Sequence, residues 1–305
     1  MPRVMRLLHC LRLTAFGMST IMFRRKTPIV GTVILCDRCN LSCAHCAVNN
    51  IKGSLASLSQ VRDDMQTLWA RGVRILFFCG GETALWSDGA FSLHNLVREA
   101  KAYGFYYVNV VTNGTICTDF PDADLVLLSL DGVGAAHDRI RGTGVYERVL
   151  ANLARNTRDN VVAYVALNPS NLDEIRPLGD LTLQHPKLRC ISFNLHTPYP
   201  GTEHLELSPE QRIKAANSIR SLIRKDYPVF NLEIGLERWL DGKWRRPCAQ
   251  CVVVEEGRWS VCGRCVEVPG LCERCGYLFA VEFSLLFEGN LIAVKQALRT
   301  YLRYA

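Results

Sequence analysis

Apolar positions recur along residues 28–235 with two different periods, and the two alternate. Short β-rich runs stand at Ile29–Leu35, Arg74–Phe78, Tyr106–Val111, Leu125–Leu130, Val161–Leu167 and Leu188–Leu195. Runs of this length and composition predict strands. Between them, apolar residues three or four apart predict helices near 54–71, 88–103, 145–157 and 171–184, the last with Asn171 as its N-cap. Six strands alternating with helices imply right-handed crossovers and a parallel sheet. The expected fold class is α/β, a partial (β/α)6 parallel barrel. A further helix is predicted from Pro209 to about Lys225, and another from Val281 to the end.

Ahead of the first strand the pattern changes. From Arg3 to Lys26 the chain carries six cations and no Asp or Glu. Val4, Leu8, Leu11, Ala15, Met18 and Met22 recur at helical spacing, with Arg3, Arg6 and Arg12 off that stripe. Two readings fit: a basic amphipathic helix on an anionic membrane surface, or a helix packed across the open end of the main domain. His9 and Arg12 interrupt the apolar stretch, so a cleavable signal is not expected. No uninterrupted apolar run is long enough to span a bilayer.

Composition alters this picture mainly through cysteine. About half of the 305 residues are apolar, ample for a packed core, and the net charge of +7 is a modest excess that a solvated surface absorbs. There are 14 cysteines. Disulfide frameworks belong mainly to small secreted domains, and this chain is neither small nor poor in core residues. Clustered thiols in a reduced, cytoplasmic chain point instead to metal or iron–sulfur ligation.

One cluster, Cys36-Asp-Arg-Cys39-Asn-Leu-Ser-Cys43-Ala-His-Cys46, directly follows the first strand. Cys39, Cys43 and Cys46 can hold three irons of a cubane and leave the fourth open to another ligand. A closed zinc site needs a fourth ligand, which Cys36 or His45 could supply. After the second strand stands Cys79-Gly80-Gly81-Glu82-Thr83, the third ends in Thr112-Asn113-Gly114, and the fourth in Ser129-Leu130-Asp131-Gly132. His137-Asp138-Arg139-Ile140-Arg141-Gly142 follows, with Arg141 a natural partner for Asp138. Ligands of parallel α/β folds gather at the carboxyl ends of the strands, where all these motifs fall.

The cysteine spacing, with His45 in the aromatic position, resembles the signature of the radical S-adenosylmethionine (radical SAM) enzymes. The Gly80-Gly81-Glu82 turn is similar to that family's GGE motif, with Thr83 in place of the commoner Pro. The resemblance covers roughly residues 30 to 200. It implies a 4Fe–4S cluster on Cys39, Cys43 and Cys46, and S-adenosylmethionine beside it. It also implies that His45, Gly80, Gly81, Glu82, Asn113, Ser129 and Asp131 surround the cofactor, with Glu82 on the methionine amino group and Ser129 near the ribose or carboxylate. The implied chemistry is reductive cleavage to a 5′-deoxyadenosyl radical that takes hydrogen from the substrate, so the cofactor carries the reaction and no further catalytic residue is assigned.

The second cluster is Cys248, Cys251, Cys262, Cys265, Cys272 and Cys275, three CxxC pairs in a short stretch. Cys251 to Cys262 reads as a hairpin about Glu256-Gly257. This arrangement resembles the C-terminal extensions (SPASM and twitch types) that hold auxiliary 4Fe–4S clusters, and it supports one such cluster more readily than two. Spacing alone does not separate iron–sulfur from zinc. Of the remaining cysteines, Cys79 abuts the GGE turn. His196, Tyr199 and Glu203 follow the sixth strand, where a polar loop is the simplest reading.

The expected organisation is a basic amphipathic segment over 1–27, a radical SAM partial barrel over 28–235, a cysteine-rich region over 236–280 and a C-terminal helix over 281–305. The substrate is expected to be a peptide or protein, or a lipid or isoprenoid reached from the membrane surface. Ferredoxin or flavodoxin would supply electrons, and residues 3–26 would give any peripheral membrane contact. A zinc-ribbon binding module is the alternative. Arg245, Arg246, Arg258, Trp259 and Arg264 around the cysteines are what it would use, but nucleic acid is not the expected partner.

Overall fold

The computed structural model describes residues 15–23, 27–46, 53–262 and 266–304. Cys10, Cys265, Arg264 and most of the basic N-terminal segment lie outside these residues. Six parallel strands form as expected: β1 (Val30–Cys36), β2 (Ile75–Gly80), β3 (Tyr107–Thr112), β4 (Leu125–Ser129), β5 (Val161–Leu167) and β6 (Leu188–Leu195). Four of the five crossovers carry helices, α1 (Leu58–Ala70), α2 (Leu93–Tyr103), α3 (Ala135–Arg141) with α4 (Val145–Ala154), and α5 (Ile175–Gln184); β3 passes to β4 without one. Local chemistry sets several starts. Ser57 caps α1 by accepting from Gln60 N, and Ser92 with Asn95 makes a capping box for α2.

Beyond β6 come α6 (Pro209–Arg224), opened by a Ser208–Gln211 capping box with Pro209 in its first turn, and α7 (Glu233–Asp241). The hairpin expected among the cysteines is β7 (Cys251–Glu255) and β8 (Arg258–Val261). It joins the main sheet: β7 pairs parallel with β1, Val30 against Cys251 through Ile34 against Glu255. The sheet order is therefore β8-β7-β1-β2-β3-β4-β5-β6, with β8 antiparallel at the edge. Arg71 lies over the Trp259 ring at 4.1 Å, tying the hairpin to the end of α1.

The single helix expected from Val281 is two, α8 (Leu278–Phe287) and α9 (Leu291–Tyr304), broken at Gly289, whose φ of 73° ends a helix readily. Between them these helices close the sheet. At one end of α8, Leu195 N at the close of β6 donates to Gly276 O at 2.8 Å. Any side chain on Gly276 would collide with the Leu195 carbonyl. At the other end Phe283 and Phe287 pack with Ile29, Val30 and Cys251. Thus α8 spans the gap between β6 and β7. Beneath it, Tyr304 of α9 packs on Leu125, Val162 and Cys190 at the starts of β4 to β6.

Strand alternation separates two environments. Gly31 faces α1, where a Cβ would meet Leu68 and Val73, and Val33 and Leu35 share that fully buried layer. Thr32, Phe77, Cys79, Val111, Ser129 and Tyr164 face the concave side and are only partly covered. The concave face is the accessible one.

Candidate active site

The cysteine loop is shaped by the turn after β2. Gly81 N donates to Cys36 O at 2.7 Å, and Glu82 N to Arg38 O at 2.9 Å. A Cβ on Gly80 would run into the Cys36 carbonyl, and one on Gly81 into that of Arg38. The two glycines therefore let the β2 turn lie directly against the loop backbone. Cys36 is 2% exposed and its thiol lies 3.4 Å from Glu82 O, so it belongs to this brace and not to the loop's thiol group. Thr83 donates to Val111 O at 2.6 Å, anchoring the turn to β3.

Glu82 is fully buried. Its Oε1 accepts from Thr112 Oγ1 at 2.6 Å and Ala84 N at 2.9 Å, and its Oε2 from Asn113 N at 2.6 Å. Burial pushes its carboxyl up despite those donors. Asn113 donates through Nδ2 to Asn40 Oδ1 at 2.9 Å and accepts from Thr115. The Glu82 carboxylate thus ties its own turn to the end of β3, and the Asn113 amide reaches from there to Asn40 in the cysteine loop.

The three thiols sit together at the rim. Burial raises Cys39, and raises Cys43 to about 11, with the neighbouring Cys46 adding to both. Hydrogen-bond donors surround them: Leu41 N is 3.4 Å and Asn113 Nδ2 3.8 Å from Cys39 Sγ, and Arg141 Nη1 is 3.9 Å from Cys43 Sγ. Thiols held neutral by burial, yet ringed by N–H donors, fit a centre whose positive charge ionises them and whose sulfurs take those donors. Among the described residues no three His, Cys, Asp or Glu side chains converge on a point suited to a single ion.

Asp131, also fully buried, forms the floor. Its Oδ2 accepts from Arg141 Nε at 2.6 Å, and its Oδ1 from Ala166 N at 2.8 Å. Burial opposes its ionisation, but Arg141, His45 and the Ala166 N–H outweigh that, so its carboxyl lies below the usual range. The expected Asp138–Arg141 pair does not form. Asp138 instead accepts from Gly144 N and Tyr146 N, while Arg141 turns inward to Asp131 and Cys43. Burial lowers His45 to about 4, leaving it neutral 3.7 Å from Asp131, its Nδ1 buried without a hydrogen-bond partner. Asn171 stands at the N-cap of the short 3-10 turn that leads into α5 but makes no side-chain cap; its amide donates to Asp131 O and Ala166 O.

Two residues join the site that the sequence did not assign to it. Arg141 is one. The other is His196, 7% exposed, whose ring centroid lies 6.4 Å from that of His45 and whose Nε2 is 3.0 Å from Thr202 Oγ1. The Arg was masked by a nearer acid in sequence, and His196 by its place in a polar loop. Ser129 ends β4 on the concave face, half-buried.

The second cysteine group divides. Cys275 is raised by burial, with Cys272 and Cys248 close enough to add to the effect and Arg246 opposing it. Cys251 and Cys262 lie in the apolar cluster with Ile29 and Val30, at the start of β1, and burial raises Cys251 to about 12. A cavity of about 480 Å3 adjoins Cys275, walled by Arg212, Ile213, Trp239, Trp244 and Arg246.

Comparison with known proteins matches this architecture. Residues 33–182 match the family model of the Radical SAM superfamily. Over 161 residues the chain is 32% identical to the sporulation killing factor maturation protein SkfB of Bacillus subtilis, covering 48% of this chain and 38% of that protein. It is 31% identical over 163 residues to pre-heme d1 synthase of Dinoroseobacter shibae, covering 48% and 39%. The chain thus spans about two fifths of the length of these curated relatives. Among solved structures, Streptococcus suis SuiB bound to precursor peptide SuiA gives a TM-score of 0.62 at 12% identity, covering 90% of this chain and 71% of that one. The enzyme anSMEcpe with bound AdoMet gives 0.57 at 17% identity, covering 90% and 84%. At these identities the structures speak to the fold. Residues 33–182 are a radical SAM domain.

Proposed function

We propose that this enzyme modifies a peptide or protein by hydrogen abstraction, with Cys39, Cys43 and Cys46 as ligands of its 4Fe–4S cluster. When bound, the cluster and S-adenosylmethionine supply the 5′-deoxyadenosyl radical. The protein's part is positioning. Gly80, Gly81 and Glu82 fix the cysteine loop, Asp131 and Arg141 form its charged floor, and His45, Asn113 and Ser129 complete the cofactor's surroundings. A reduced ferredoxin or flavodoxin in the cytoplasm is the fitting electron source.

The observation that carries the peptide assignment is the cavity beside Cys275, broad and walled by two Trp and two Arg side chains. Such a wall suits an extended chain bearing acidic and apolar groups. It is supported by relatives whose names concern peptides, SkfB and the antilisterial bacteriocin subtilosin biosynthesis protein AlbA of Bacillus subtilis, and by SuiB with its precursor peptide. A lipid or isoprenoid substrate is less well supported. The exposed apolar side chains on residues 15–23 and α9 lie at the far end of the strands from the cysteine loop. Nor does a zinc-ribbon module without radical chemistry account for a parallel sheet carrying this loop. Cys248, Cys272 and Cys275 are the proposed core of one auxiliary cluster; zinc there is the competing outcome.

Anaerobic reconstitution followed by iron, sulfide and zinc counting tests the ligands. About eight irons, and release of 5′-deoxyadenosine lost when Cys39, Cys43 and Cys46 become Ala, are expected. About four irons with one zinc would move Cys248, Cys272 and Cys275 to a structural role. For the substrate, nucleoside release is compared with peptide-rich and lipid-rich extracts of the host cell. Stimulation by lipid alone would overturn the peptide assignment.

A further inference from the structure

We infer that the end of the molecule opposite the cysteine loop is a docking surface for an anionic phospholipid bilayer, built jointly by residues 15–23 and α9. The inference rests on this end alone and is independent of the chemistry at the other. Both elements pack on the N-terminal ends of the strands. Phe16 meets Tyr106, just ahead of β3, edge-on at 5.6 Å, and Tyr304 covers the starts of β4 to β6. They adjoin where Ile21 lies against Gly289, at the turn into α9.

The apolar stripe read from the sequence turns outward here. Phe16 faces the protein, while Ala15, Met18 and Met22 are exposed. On α9, Ala293, Ala297 and Tyr304 face inward, leaving Leu291, Lys295, Leu298 and Leu302 along the outer side. The five most exposed large apolar side chains among the described residues, Leu291, Met22, Phe23, Leu302 and Ile292, all belong to these two elements. Surface apolar residues are usually scattered, so this concentration marks an interaction site.

Charge selects the occupant. Residues 1–26 and 291–305 contain no Asp or Glu, whereas they hold Arg3, Arg6, Arg12, Arg24, Arg25 and Lys26, then Lys295, Arg299 and Arg303. The neighbouring acids are engaged: Asp226 pairs with Arg303, and Glu288 lies 4.0 Å from Arg245. Long apolar side chains interleaved with Lys and Arg on one stripe suit a bilayer interface, where the former enter the acyl boundary and the latter reach the phosphates. Docked this way, the enzyme keeps the cysteine loop turned away from the membrane.

The test is co-sedimentation of the reconstituted full chain with phosphatidylcholine vesicles, with and without phosphatidylglycerol. Binding to the mixed vesicles only, weakened by salt, is expected. Lys295→Gln with Arg299→Gln should weaken it about thirtyfold. Met22→Asp with Leu302→Asp should abolish it, with 5′-deoxyadenosine release in the absence of lipid unchanged. Failure to bind mixed vesicles, or equal binding to both kinds, overturns the proposal. So does light scattering that finds a dimer which the Asp substitutions convert to monomer, since the face would then belong to a second copy.

Discussion

Glu282 gives the most quantitative forecast. It lies on α8, 8% exposed, and its Oε1 accepts from Leu232 N at 2.9 Å and Asn231 Nδ2 at 3.1 Å. Burial raises its carboxyl from 4.5 to about 7, and those two donors only partly offset it. A native value above the unfolded one means that the folded state binds more protons between the two. Stability therefore falls as pH rises from about 4.5 to about 7 and is level above that. The displacement corresponds to about 3 kcal/mol at pH 8, an upper figure because the interior relaxes around the charge. Glu282→Gln keeps the acceptor oxygen and removes the charge, so it should recover about 1–3 kcal/mol at alkaline pH, a rise of several degrees in melting temperature. At pH 4.5 the two proteins should melt nearly together. Thermal melts of both, without oxygen, from pH 4.5 to 8.5 provide the comparison. Parallel curves, or a Gln variant less stable at pH 8, would refute the argument that this carboxyl is strained by burial.

Further outcomes follow from the site. Arg141→Met strands the Asp131 carboxylate in the interior and should cost about 3–5 kcal/mol, read from the denaturant midpoint, with iron incorporation falling alongside. Gly80→Ala must push the Cys36 carbonyl aside, costing about 1–3 kcal/mol and lowering the iron bound by the cysteine loop. Gly17→Ala, with nothing within 4 Å of the added methyl, should leave iron content unchanged and serves as the control. Trp259→Ala removes the ring beneath Arg71, and native-state hydrogen exchange should then quicken at Val252 and Val254 while the amides of β3 stay protected.

The six-stranded parallel core was legible because each strand is a short β-rich run and most of them are separated by amphipathic helices. Cys39, Cys43 and Cys46 were legible for another reason: their spacing is local, so one loop brings them together. What escaped depends on folding at a distance. Nothing in Cys251–Glu255 distinguishes a free hairpin from one that pairs with β1, since both need the same alternation. Arg141 stands three residues from Asp138, which favours a local pair, yet the buried Asp131 carboxylate offers the stronger partner. Glu82 and Asn113 were expected to face the cofactor. The sequence did not show what holds them there: the Glu82 carboxylate takes the Asn113 N–H and the Thr112 hydroxyl, since a buried carboxylate is most stable when neighbouring donors satisfy it. α9 was legible only as the end of one helix running from Val281, and its packing alone tells which stripe turns outward.

The parallel ladder between β1 and β7 joins residues about 220 positions apart. As the chain leaves the ribosome, β1 therefore emerges with one edge that cannot be paired until about 220 further residues have been made. A strand reading Val-Gly-Thr-Val-Ile-Leu-Cys is apolar but for Thr32, and its open edge is a template for any other strand nearby. The cysteine loop hangs from the end of that same strand. Newly made protein thus passes through a stage in which the loop exists but its support is half built, and aggregation competes with completion. A chain cut short before Cys251 should behave as a persistent form of that stage: insoluble when made alone, and rescued when the missing segment is supplied as a second chain.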